Sequence, residues 1–172
     1  MKKTVLVFGL LSGAVSAAMM LGTIPFIDRI GFDHTEVLGY TTLVASFLLV
    51  FFGVRSYREN VGGGTLSFGR ALSLGLLITL VSCVCYVATW EFIYYRISPD
   101  FADKYAVYAV EKARASGASQ AKIDATTQQM EAFKEMYKNP IFNIGLTFME
   151  PLPVGVLVAL ISAAVLRRKP RP

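Results

Sequence analysis

ALSLGLLITLVSCVCYVATWEFIYY, residues 71–95, decides the fold. Its one acidic or basic residue is Glu91. A bilayer's hydrocarbon core takes about 20 apolar residues to cross as a helix, and this stretch supplies them. Within lipid, only a helix or a closed barrel satisfies every backbone N–H and C=O. The run lacks the two-residue alternation of a barrel strand, so it reads as a membrane-spanning helix.

Three further runs match it: about 4–27, about 37–54 and about 141–166. The 172 residues are 54% hydrophobic and 17% charged, with a mean hydropathy of +0.51. A soluble domain carries roughly 25% charge, so the composition argues against a soluble globular enzyme, and the apolar content excludes disorder. The first run has a competing reading. Lys2-Lys3, an apolar stretch and Val15-Ser16-Ala17 imitate a secretory signal with its cleavage site. The chain stays apolar through Ile24, whereas a signal's apolar region spans about 7–15 residues, so a retained helix is expected.

Lysine and arginine beside the spans set orientation. One side gathers Lys2, Lys3, Arg55, Arg58, Arg70, Arg167, Arg168, Lys169 and Arg171 against the single acid Glu59. The other side mixes signs: Arg29 with Asp28, Asp33 and Glu36, then lysines and acids between Arg96 and Pro140. Both termini and the Gly62-Gly63-Gly64 turn are therefore expected in the cytoplasm. The net charge of +5 is topogenic, with attraction to anionic lipid as a secondary effect, and no nucleic-acid partner is implied.

The stretch 98–139 has its own punctuation. Ser98-Pro99-Asp100 reads as an N-cap, a proline at the first helical position and an acid at the positive helix end. Phe101, Tyr105 and Tyr108 then share a face. Ser116-Gly117 stops this helix, and Ser119 caps a second whose Ile123, Met130, Phe133 and Tyr137 share another. Asn139-Pro140 closes it. An extracytoplasmic two-helix hairpin is expected, its faces packing on each other or between protomers in preference to binding a ligand.

Small residues recur every fourth position in three spans: Gly9, Gly13 and Ala17; Ala71, Gly75, Thr79 and Cys83; Gly155, Ala159 and Ala163. Such side chains let helix backbones approach in lipid. In the second span Phe47, Phe51 and Phe52 suit lipid or the gap between helices.

Glu91 and Glu150 are the ionisable groups well inside the spans, and intramembrane charge points to function. At about 1.5 Å per residue, Glu91 lies ~31 Å along its helix from Arg70 and Glu150 ~25 Å from Arg167. Both fall near the outer boundary of a ~30 Å core, where Trp90, Tyr94 and Tyr95 form an interfacial belt. One reading has the two acids reach water or bond to neighbouring groups. The other has them share an outward polar pocket for protons or cations. The first is preferred, with Glu150 the better functional candidate because it is deeper. Pro151 and Pro153 free carbonyls beside it, as broken helices do at transporter ion sites.

Other candidates fall away. Residues 64–71 have the glycine spacing of a phosphate loop without its lysine or a preceding strand. Cys83 and Cys85 point to different helix faces and pair with nothing. His34 sits between Asp33 and Glu36 in a short outer loop, where a solvated role outweighs weak metal binding. No metal, cofactor or catalytic residue is expected, and a nucleophile–base pair is missing.

The Ser67-Phe68-Gly69-Arg70-Ala71 entry to the third span, Ser98-Pro99-Asp100-Phe101, and Leu160-Ile161-Ser162-Ala163-Ala164 before Arg167-Arg168-Lys169 together resemble the bacterial membrane family called domain of unknown function 4199. The resemblance spans nearly the whole chain. It implies a small four-span protein of the bacterial inner membrane and carries over no catalytic or binding residue. The expectation is an all-α integral membrane four-helix bundle, non-enzymatic, acting through protein contacts as a homodimer or with another membrane or extracytoplasmic protein. The alternative is a small ion- or proton-coupled transporter using Glu91 and Glu150.

Overall fold

Helix α4 (Phe68–Arg96) runs through the middle of the molecule, and the order of its side chains explains the packing around it. The computed structural model describes Met1–Arg168; Lys169 and Arg171 lie outside the described residues. Chain order is α1 (Lys2–Thr23), a tight turn at Ile24–Phe26, α2 (Ile27–Ile30), α3 (Phe32–Asn60), α4, α5 (Phe101–Ala115), α6 (Gln120–Tyr137), α7 (Pro140–Met149) and α8 (Leu152–Leu166). Four helical stretches are long and apolar enough to cross a membrane: Lys2–Ile30, Phe32–Asn60, Phe68–Arg96 and Pro140–Leu166. Their outward faces carry exposed Leu6, Leu10, Leu48, Phe52, Leu80, Val84, Leu157 and Ile161. An apolar exterior of this extent belongs against lipid. The chain is an all-helical, multi-pass membrane protein.

Two helices, α1 and α8, pack along α4 on glycine. A Cβ added to Gly75 would stand 2.9 Å from the Ala159 Cβ and 3.2 Å from its Cα. One on Gly155 would strike Thr79, one on Gly9 would meet the Val81 Cβ at 2.6 Å, and one on Gly13 would strike Cys85. Helix α1 thus lies parallel to α4 and α8 antiparallel, each at backbone distance. Ser82 Oγ donates to the Gly9 carbonyl at 3.2 Å, and Ser16 Oγ to Ser46 Oγ at 3.1 Å. The small-residue stripes are consumed inside one chain.

Several expected details move. On α1 the buried edge passes through Ser12, Gly13 and Ser16 to Met20, leaving Ala17 half-buried. Phe47 is buried, Phe51 half-buried and Phe52 exposed. Helix α3 begins at Phe32 rather than 37, because Gly31 (φ 84°) reverses the chain in one residue. Asp33, His34 and Glu36 therefore ride on helical turns, not in a loop, and the acids face the positive helix end. Ser98 does not cap α5; its carbonyl accepts from Phe101 N–H at 3.1 Å, and its own N–H ends α4 on Ile93 O at 2.9 Å. The helix starts two residues later. Ser119 does cap α6, its side chain accepting from Lys122 N–H at 3.4 Å. The fourth span breaks between Met149 and Leu152, at Glu150-Pro151.

At the basic end, Leu66 and Arg168 exchange backbone hydrogen bonds of 2.9 and 2.8 Å. That bridge ties the end of α8 to the turn holding Gly63 and Gly64, both at positive φ.

Gly75→Leu is expected to lower stability by about 1–3 kcal/mol, the usual cost of overpacking, because backbone on α8 must retreat. Gly145, with open space around its Cα, supplies the contrast: Gly145→Ala is expected to be neutral or to gain up to about 1 kcal/mol. Thermal unfolding midpoints in detergent separate the two.

Candidate functional site

Along the same face of α4 the small residues give way to Tyr86, Trp90 and Tyr94. All three are buried, and their bulk holds the neighbouring helices apart at the end away from the basic cluster. A cavity of about 540 Å³ opens there. Met19, Met20 and Thr23 of α1, Thr35, Glu36, Gly39 and Tyr40 of α3, Tyr86 and Trp90 of α4, and Leu146, Thr147, Met149 and Glu150 of α7 and its end form the walls. Phe101, Tyr105 and Tyr108 of α5 with Phe133 and Tyr137 of α6 complete them. The exposed lining residues are Glu36 and Tyr40 of α3, Tyr105 of α5, and Leu146, Met149 and Glu150 of α7 and its end, which sets the mouth between α3 and α7 with α5 at its edge.

The two short helices are set on the bundle by the faces read in the sequence. Phe32 stacks on Tyr108 at 4.8 Å between centroids and meets Phe101 and Tyr105 at 5.8 Å each. Trp90 meets the Phe101 ring edge-on at 4.7 Å. Between α5 and α6, Tyr105 and Phe133 lie 5.9 Å apart, and Lys134 pairs with Asp103 at 2.9 Å. Lys104 pairs with Asp28 at 2.8 Å and Asp100 at 3.1 Å, and Lys112 with Asp33 at 2.6 Å. Phe101, Tyr105 and Tyr108 of one face and Phe133 and Tyr137 of the other are thus engaged within the chain.

A hydrogen-bond network stiffens one wall. Trp90 Nε1–H donates to Tyr137 Oη at 2.7 Å and to Asn143 Oδ1 at 3.2 Å. Thr147 Oγ1 donates to the same Asn143 oxygen at 3.2 Å. Burial raises the Tyr137 phenol above the usual tyrosine range, so it stays protonated at neutral pH. Asn143 is fully buried, and its Nδ2 has no partner among the described residues.

Glu150 sits at the helix break, and Tyr86 Oη donates to its Oε2 at 2.9 Å. Glu91 is half-buried and does not line the cavity, so the two acids are not brought together. Adjacent residues on a helix point about 100° apart; with Trp90 facing inward, Glu91 turns away. The carboxylate that does share the cavity with Glu150 is Glu36, which sequence reasoning placed in a loop. The spacing of Thr35 and Gly39, with Glu36 and Tyr40 beside them, was the available signal: a helical face running out past the apolar run. Among the described residues no cluster of three or more His, Cys, Asp or Glu is placed to hold a metal ion, at His34 or elsewhere. The arrangement offers carboxylate oxygens, phenols and aromatic faces to a molecule of drug-like size.

The model of a family described as "Protein of unknown function (DUF4199)" matches residues 7–168. The chain belongs to that family. No curated protein and no solved structure matches it.

Hydrogen bonds that its ammonium donates to Asp33 and Tyr108 hold Lys112 above the ordinary lysine range. A value raised by folding stabilises fully below the unfolded value, about pH 10, and is lost as pH climbs through the raised one. Because the pair is exposed, its contribution is small, so Lys112→Met is expected to speed amide hydrogen exchange across α5 only slightly at neutral pH. That slight difference from wild type should shrink as pH climbs past about 10.

Proposed function

We propose that this member of a family with no assigned role is a non-enzymatic binding protein of the membrane, holding a small amphiphile in the cavity beneath α5 and α6. The cavity carries the reading: about 540 Å³, within the roughly 300–1,000 Å³ of small-molecule sites, lined by aromatic rings and fitted with the Tyr86–Glu150 hydrogen bond. Its sideways mouth admits a molecule from the membrane surface.

The collection of Lys2, Lys3, Arg55, Arg58, Arg70, Arg167 and Arg168 at one end supports an orientation with both termini cytoplasmic and the α5–α6 hairpin outside, in a bacterial inner membrane. The features that favoured a protein partner or a homodimer, the small-residue stripes and the hairpin's aromatic faces, are engaged within the chain. A ligand site therefore has the stronger support. The place of Glu91 outside the cavity weighs against a two-carboxylate ion pathway.

Trp90, the one tryptophan, lies in the cavity wall and reports occupancy. In dodecyl maltoside, the neutral dye N-phenyl-1-naphthylamine is expected to accept energy from Trp90 saturably. Gly39→Leu should abolish that signal, because a Cβ at Gly39 has only the Met19 Cε near it, at 3.9 Å, and a larger side chain enters the cavity without disturbing the fold. Unsaturable transfer, or transfer equal in the variant, overturns the reading.

A further inference from the structure

The charges around the cavity are one-sided. Glu36 and Glu150 stand at the mouth, and among the described residues neither has a salt-bridge partner. Tyr86 bonds only one of the Glu150 oxygens. Among the described residues no lysine or arginine lines the cavity. Of the cations at this end, Lys104, Lys112, Lys134 and Lys138 pair with acids, and Arg29, Arg96, Arg114 and Lys122 do not line the cavity. An anionic ligand would face two carboxylates with nothing to balance them, while a cation would supply the missing counter-charge.

The walls select among cations. Tyr40, Tyr86, Trp90 and Tyr105 bring aromatic rings to the cavity, and such faces attract cations, most of all poorly hydrated organic ones. A small metal ion wants several oxygen or nitrogen ligands at close range, and no cluster of three or more His, Cys, Asp or Glu exists among the described residues. The space is also far larger than a metal ion or a proton needs. Apolar Met19, Met20 and Leu146 provide for a hydrocarbon or aromatic body behind the charged group.

We infer that the ligand is an organic ammonium cation carried on an apolar body, its charge at the mouth between Glu36 and Glu150 and its body among the rings. This rests on the cavity being a binding site. Two sources present that chemistry: a free amphiphilic amine, or the ammonium of a phospholipid headgroup.

The full chain in dodecyl maltoside, loaded with N-phenyl-1-naphthylamine, is titrated with 4-phenylbutyltrimethylammonium, its uncharged quaternary-carbon isostere and 4-phenylbutylsulfonate. The cation is expected to displace the dye at least about tenfold more effectively than the isostere, with the sulfonate weakest. Combining Glu36→Gln with Glu150→Gln should reduce the cation's advantage to about twofold or less, while dye binding persists and shows that the fold is intact. Equal displacement by cation and isostere, or preference for the sulfonate, overturns the ligand class even though the dye still binds. Loss of the saturable dye signal in wild type instead overturns the binding site itself. Displacement by phosphatidylethanolamine added to the micelles assigns the ammonium to a lipid; its failure beside an effective soluble cation assigns a free amine. Both results uphold the class.

Discussion

Everything in this molecule depends on how closely helices can approach α4. In lipid no hydrophobic force drives helices together, so close contact and interhelical hydrogen bonds must hold the bundle. Gly75 against Ala159, Gly155 against Thr79, Gly9 against Val81 and Gly13 against Cys85 supply that contact. The same helix face then changes to Tyr86, Trp90 and Tyr94, whose size forbids it. One helix therefore clamps the bundle at one end and opens it at the other. The cavity is a consequence of side-chain size along a single face.

The hairpin closes what α4 opens. Helices α5 and α6 are too polar to enter lipid, yet each carries a narrow aromatic face. Those faces reach a covered state by packing on Phe32, Trp90 and each other, and exposed ion pairs to α2 and α3 set their position. Surface pairs of this kind contribute little energy; here the aromatic contacts provide the adhesion and the charges provide the register. The roof leaves its side open at Glu36 and Glu150, so among the described residues the ionised groups at the opening are both acids.

The spans were legible because they rest on one-dimensional facts: run length, hydropathy, and the need of backbone groups for partners within the segment. Ser119 and Gly117 were legible because capping is local. The misplaced features were those in which a local signal had two uses. Asp33 and Glu36 looked like loop residues, yet acids are equally at home on the first turns of a helix, and Gly31 allowed that helix to begin early. Ser98 had the chemistry of a cap, but its backbone was engaged in ending α4. The stripe through Ala17 failed for a geometric reason: a step of four residues drifts by about 40° from an ideal helix face, so the contact edge moved to Ser16. The pairing of Glu36 with Glu150 was not legible at all. It depends on how α3 and α7 are rotated about their own axes, and that is decided by packing across the whole bundle.

Cysteine reactivity at Gly39 tests the central claim, that the end of the bundle opposite the basic cluster is open to the outside and tuned to positive charge. With Cys83 and Cys85 replaced by alanine, Gly39→Cys in intact cells is treated from outside with trimethylammonium-ethyl or sulfonato-ethyl methanethiosulfonate, each rate being corrected by its rate with a free thiol. Rapid modification by the cationic reagent, with the anionic one markedly slower, is the expected result. A thiol that stays silent until cells are lysed, or that reacts faster with the anion, contradicts the account.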